Sequence, residues 1–197
     1  MKNLTSIISV IILIVIQNLC IAQSAKKEPE HSGVYLTLAD FKSGKLTYGI
    51  DCRAEKHKII LHDFLSKPYI DVIHEGMKHT LQKKDIYAFR DCNDIVFRFF
   101  NNREYQLAES GAINIYFLEE SRSEGKGFRI VKVYYFSILP DGEIKPLTTA
   151  NLKAAFPDNH KFHDALDTNL KDSDASEYDS FHKMFKVNHI YHMSLDK

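Results

Sequence analysis

The chain has no tryptophan and only three cysteines, and its 26 acidic residues match its 26 basic ones. A zero net charge excludes the basic footprint that binding to nucleic acid or an anionic membrane requires. The sequence also lacks Cys-x-x-Cys, Gly-x-Ser-x-Gly, Gly-Lys-Ser/Thr and any glycine-rich phosphate loop. No nucleophile elbow, nucleotide cradle or paired-thiol centre is therefore written into it. There is no internal repeat, and no biased tract beyond one short polar stretch near the start.

What is present begins with an address. Lys2 precedes an apolar run from Ile7 to Ile16, and small residues follow near Ala22. That order describes a secretory signal peptide cleaved after Ala22 or Gln23. The run is about half of the ~20 residues that a bilayer span needs, which argues against a retained anchor. Lipid attachment at Cys20 is disfavoured, because Asn18 and Leu19 stand where small residues belong. We therefore expect a signal peptide over 1–22 and a flexible leader over 23–33, with no transmembrane segment after cleavage. One globular domain should follow over 34–197, mainly β over 34–139 and helical over 147–192.

Cys52 and Cys92 survive cleavage. An oxidising destination permits a bridge between them. Closing that loop would stabilise the fold by roughly 4 kcal/mol in the chain-entropy model. Spacing alone does not say whether their Cα atoms come within range, so a bridge and two free thiols both stay open.

With 13 Phe and 10 Tyr the chain is rich in residues that favour strands. Thr37 caps a helical turn to Lys42, and Gly44 ends it. Leu46, Tyr48 and Ile50 then alternate with polar residues as in a half-buried strand. Further strands are expected at 57–61, 69–74 and 77–81, with a turn at Glu75-Gly76. A hairpin is expected from 86–90 and 95–100 around Asp91–Asp94, and another turn at Asn101-Asn102. Ile113, Ile115 and Phe117 alternate again, and residues 121–127 read as a loop. Residues 128–139 are apolar on both parities, as in a strand covered on both faces. Short strands at regular spacing predict an antiparallel β-meander curled into a small barrel or sandwich.

The period changes after Pro140-Asp141-Gly142. Thr149 caps a helix to Phe156, which Pro157 stops. Asn159 caps a second, with Phe162, Ala165, Leu166 and Leu170 on one face. Tyr178, Phe181, Met184 and Phe185 read as the stripe of a third. The fold class expected is α+β, a meander followed by about three short helices.

Histidine is the residue type that stands out, with ten copies. His74-Glu75-x-x-x-His79 resembles a zinc protease motif, but that chemistry needs two histidines four apart on a helix. Here they are five apart around a turn, so two exposed histidines on a hairpin are expected. His160 and His163 share a helix face, and His189 and His192 repeat the spacing. These four are the candidate ligands for a divalent metal, although structural sites usually include cysteine. Asp172-x-Asp174-x-Ser176 hints at a calcium loop, but it lacks the glycine at position six and has Lys183 at position twelve. Arg90, Arg98 and Arg103 could form an anion patch, with cross-strand ion pairing the simpler expectation.

Several segments carry a fingerprint: DFKSGKLTY at 40–48, KKDIYAFRDC at 83–92 and NNREY at 101–105. LTTANLKAAFPDNHKFHDAL at 147–166 and YDSFHKMFKVNHIY at 178–191 complete it. Together they resemble a family of exported, signal-peptide-bearing proteins of Bacteroidota-type bacteria. The resemblance implies an export address and a lineage, and it transfers no catalytic residue. The function expected is an exported, non-catalytic binding or interaction protein, periplasmic or secreted, with a protein or envelope ligand. A metal-binding protein using the C-terminal histidines is the alternative, and a hydrolase with a dispersed site ranks below it.

Overall fold

A computed structural model describes residues 31–54, 58–62, 67–125, 127–170 and 175–195. The expected signal peptide, the leader up to residue 30 and residues 171–174 of the calcium-like loop lie outside the described residues. The elements run β1 (His31–Tyr35), α1 (Leu38–Ser43), β2 (Thr47–Asp51), β3 (Lys58–Ile60), β4 (Tyr69–His74) and β5 (Met77–Gln82). A 3-10 turn (Lys83–Asp85) leads to β6 (Ala88–Arg90), β7 (Val96–Phe100), β8 (Arg103–Glu109), β9 (Asn114–Glu124), β10 (Gly127–Ser137) and β11 (Lys145–Pro146). The last part holds α2 (Thr149–Ala155), α3 (His160–Asn169), a small hairpin of β12 (Tyr178–Asp179) and β13 (Met184–Phe185), and α4 (Lys186–Leu195).

Local chemistry explains most of these limits. Thr37 and Asp40 form a reciprocal capping box at the start of α1, and Gly44 closes it at φ 68°. Asn101 and Asn102 both take positive φ (48° and 61°) between β7 and β8, as a two-residue hairpin turn of the right twist demands. Asn159 accepts a hydrogen bond from Phe162 N at the start of α3.

Eight strands form one sheet in the order β11-β10-β9-β8-β7-β6-β1-β2, and β3-β4-β5 form a second. Neighbours in both sheets pair antiparallel. The large sheet is open, so the meander does not close into a barrel. Its register places Val34, Phe89, Phe97, Gln106, Phe117 and Tyr134 opposite one another in a single row. Two layers cover the face that carries this row. At one end Ile70 and Val72 of β4 bury Val34, Phe89 and Phe99. At the other, Phe162 and Leu166 of α3 and Val187 and Ile190 of α4 bury Ile115 and Phe136. The opposite face carries Tyr105 and Tyr116, covered by Ile144 of the segment after β10. Phe41 of α1 packs there against Tyr35 and Tyr87, at ring distances of 5.3 and 5.4 Å.

Four details depart from expectation. Strand β1 begins at His31, inside the expected leader, where the Ser32 hydroxyl donates to Arg90 O and its backbone pairs with Ile50. The expected loop over 121–127 is strand as far as Glu124. The β8 pairing ends at Phe117, so the rest of β9 and β10 projects as a two-stranded ribbon. Phe128 (81% exposed) and Ile130 (62%) therefore face solvent, and β10 is covered on both faces only at its far end. The third helix begins at Lys186, because Tyr178 to Phe185 forms the small hairpin. Asp179 Oδ1 accepts from the backbone N–H groups of Phe181 and His182. Lys183 then turns the chain at φ 54°. The helical stripe is a coincidence of hairpin spacing, and Phe181 is 87% exposed.

Candidate binding cleft

The two covering layers leave the middle of the row open. Phe97, Gln106 and Phe117 floor a cleft of about 480 Å³, within the size range of small-ligand sites. Leu61 closes it on the side of the small sheet, and Arg103 and Glu119 stand at its rim. Lys132 Nζ lies 4.1 Å from the centre of the Phe117 ring, a cation–π contact that fixes an ammonium beside the floor.

Lys83 forms one wall and is only 2% exposed. The 3-10 turn carries it inward, held by Lys83 N donating to Pro68 O at 2.8 Å. Its Nζ forms an ion pair with Glu104 Oε1 at 2.5 Å and donates to Asn102 O at 3.4 Å. A buried ion pair is an uncertain source of stability, yet breaking one by removing a partner is costly. The Lys83–Glu104 pair therefore fixes the position of the wall. A second recess of about 610 Å³ lies against the same lysine, lined by Pro68, Ile86 and Phe100.

The histidine quartet does not assemble. His160 and His163 lie together on α3, with ring centres 5.9 Å apart, but His163 Nε2 is engaged with Phe156 O at 2.9 Å. His189 stacks instead on His182, at 3.7 Å, and His192 lies beside Tyr191. Facing positions of α3 and α4 are taken by Phe162, Leu166 and Ile190, which pack as core. Among the described residues no group of three or more His, Cys, Asp or Glu is placed to hold a metal. His182 Nδ1 lies 2.6 Å from Asp179 Oδ2, and that contact brings the Asp179 carboxyl down to about 2.

His74 and His79 sit on the expected hairpin, but they are half-buried and not exposed. The Tyr48 ring lies against both, at 5.8 and 4.2 Å. The arginines divide. Arg90 pairs with Asp94 of the turn that follows β6, and Arg103 pairs with Glu120 across strands, each at 3.3 Å. Arg98 is buried on the face opposite the cleft. Cys52 and Cys92 are bridged, with Cα atoms 5.8 Å apart. No helix among the described residues is long and apolar enough to cross a membrane.

No sequence signal marks the cleft. Nothing distinguishes Lys83 from Lys84 until the 3-10 turn buries one and exposes the other. Glu104 falls in β8, a strand not among those expected from the sequence. Comparison with protein-family models, with curated proteins and with solved structures finds no match to this chain.

Proposed function

We propose that this chain is an exported, non-catalytic binding module that takes its ligand in the Phe97–Gln106–Phe117 cleft. The observation that carries the reading is the uncovered middle of an otherwise covered sheet face. The half-buried Phe97 ring offers apolar contact there and Gln106 an amide, while the Phe117 ring is buried beneath the Lys132 ammonium. Lys83 and Glu104 hold fixed charges of both signs at the wall. Such a lining suits an extended ligand with apolar and polar groups, such as a peptide segment or an envelope component. The signal-like start and the Cys52–Cys92 bridge support an oxidising, extracytoplasmic address.

Because the chain has no tryptophan, Phe97→Trp places a single fluorescent reporter in the cleft floor. Titration with envelope fractions should shift its emission saturably. Gln106→Trp in the otherwise natural chain, which fills the floor, should abolish capture of the same component. Capture that survives Gln106→Trp, or no response to any fraction, would sink the proposal.

A further inference from the structure

Arg98 is 95% buried on the sheet face opposite the cleft, with a fractional exposure of 5%. Among the described residues no carboxylate pairs with it. Its hydrogen-bond acceptors are all neutral: Tyr116 Oη at 3.4 Å, Ser137 Oγ at 3.5 Å and Gly142 O at 2.5 Å. Its Nε–H is buried without an acceptor. The rings of Tyr87, Phe100 and Tyr116 lie 5.7 to 5.8 Å from its guanidinium carbon. Ring faces compensate a buried cation only in part. Removing a full positive charge from water calls for a counter-charge.

Arg98 lines a partly open cavity of about 90 Å³. At roughly 30 Å³ per water, that is room for about three waters or one anion of three or four heavy atoms. Leu38, Phe41 and Lys42 of α1, Tyr87, Tyr116 and Pro140 are among the other lining residues. Lys42 is exposed and adds a second cation, and no acidic residue lines the cavity. Asp141, next to Pro140, is exposed and forms no ion pair with Arg98. Two of the hydroxyls already have acceptors. Tyr87 Oη donates to Pro140 O at 2.9 Å, and Ser137 Oγ donates to Leu139 O at 2.8 Å. With the Ser137 proton committed to Leu139 O, the Tyr116 hydroxyl, which accepts from Arg98, donates to Ser137 Oγ over a long 3.2 Å, and turning that proton to a guest anion exchanges a weak bond for a charge-assisted one.

We infer that this cavity is a binding site for one small planar monovalent anion, a carboxylate of formate or acetate size or its isosteres bicarbonate and nitrate. Arg98 supplies the charge and the Tyr116 hydroxyl a hydrogen bond. The site lies on the other face of the sheet from the cleft and does not depend on what the cleft binds. A ligand this small binds at best in the sub-millimolar range.

The test is calorimetric unfolding of the disulfide-bonded chain at constant ionic strength, with sodium formate, acetate, nitrate or hexanoate exchanged for chloride. Formate, acetate and nitrate should raise the midpoint saturably, as binding to the folded state alone requires. Arg98→Lys should abolish saturation, and Tyr116→Phe should weaken the apparent affinity by about tenfold, the effect of losing one hydrogen bond to a charged group. Hexanoate separates two sources of the same chemistry. Its failure assigns the site to a free small anion, and its success assigns it to the carboxyl end of a longer ligand passing Lys42. The absence of any saturable shift overturns the inference, as does a shift unchanged in both variants. Should Arg98→Lys not fold, Tyr116→Phe decides alone, since a curve identical to that of the natural chain removes the site.

Discussion

Asp71 lies on the outer side of β4, yet it is only 2% exposed. Lys78 Nζ at 2.8 Å, Thr80 Oγ1 at 2.6 Å and His62 Nε2 at 2.8 Å all meet its two oxygens. Those hydrogen bonds, with Lys78 contributing most, hold its carboxyl well below the usual carboxylate range. The sign follows from linkage. A folded-state pKa below the unfolded value of about 3.9 means the carboxylate stabilises the fold above about pH 4, and that contribution is lost as pH falls through the folded value. His62 holds its backbone at φ 58°, a strained conformation for histidine that the Asp71 contact maintains. Asp71→Asn should therefore lower the thermal midpoint at neutral pH. The gap to the natural chain should narrow between about pH 5 and pH 2. Thermal scans across that range check it, and a gap that does not change with pH would show that charge at Asp71 is not what counts. Tyr87 has the opposite environment. Burial pushes its hydroxyl up to about 12, so it stays protonated and keeps donating to Pro140 O.

At the scale of elements, α4 is fastened to the sheet by one side chain. Asn188 is 2% exposed. Its Oδ1 accepts from Ile113 N at 3.1 Å, and its Nδ2 donates to Ile113 O at 2.9 Å and to Glu109 Oε1. The amide thus pairs with Ile113 as a neighbouring strand would. Glu109 Oε2 also accepts from Phe185 N at 2.8 Å, so one carboxylate joins the small hairpin and α4 to β8. Asn188→Ala strands the buried N–H and C=O of Ile113 and should cost about 2–4 kcal/mol. Urea denaturation measures this, and a loss below about 0.5 kcal/mol would mean water replaces the amide. What the sequence showed of these elements follows their physics. β4 and β5, the cap of α1 and the start of α3 were legible, because alternation and capping are local signals. The third helix was misplaced because Tyr178, Phe181, Met184 and Phe185 mimic a stripe. The Asp179 hydrogen bonds that make a turn there have no periodic signature. Lys83, Glu104 and Arg98 were illegible as site residues, since each is defined by partners 18 or more positions away. Asn188 was equally silent for the same reason, at a separation of 75.

The sheet face that carries the cleft has two covered regions, and the disulfide loop encloses the cover of only one of them. The chain leaves the sheet edge after β2, forms β3, β4 and β5, and returns at β6 on the other side of β1. Cys52 and Cys92 close that excursion into a loop with a sequence separation of 40. The small sheet, Leu61 and Lys83 are all inside the loop, whereas the helices that bury Ile115 and Phe136 are outside it. Replacing both cysteines by serine should lower stability by about 4 kcal/mol, by removing a restraint on the unfolded chain. The loss need not be shared evenly, because local opening follows local stability. Reduction should raise hydrogen exchange first in β4 and β5, while the paired backbones of β9 and β10 keep their protection. Since Lys83 walls the cleft from within the loop, ligand response at a Phe97→Trp reporter should weaken in the reduced chain before the helical layer opens. Exchange measured by mass spectrometry with and without reductant tests this order. Equal loss of protection in β4, β9 and α3 would show that the two regions open as one cooperative unit and that the bridge stabilises the whole fold alike.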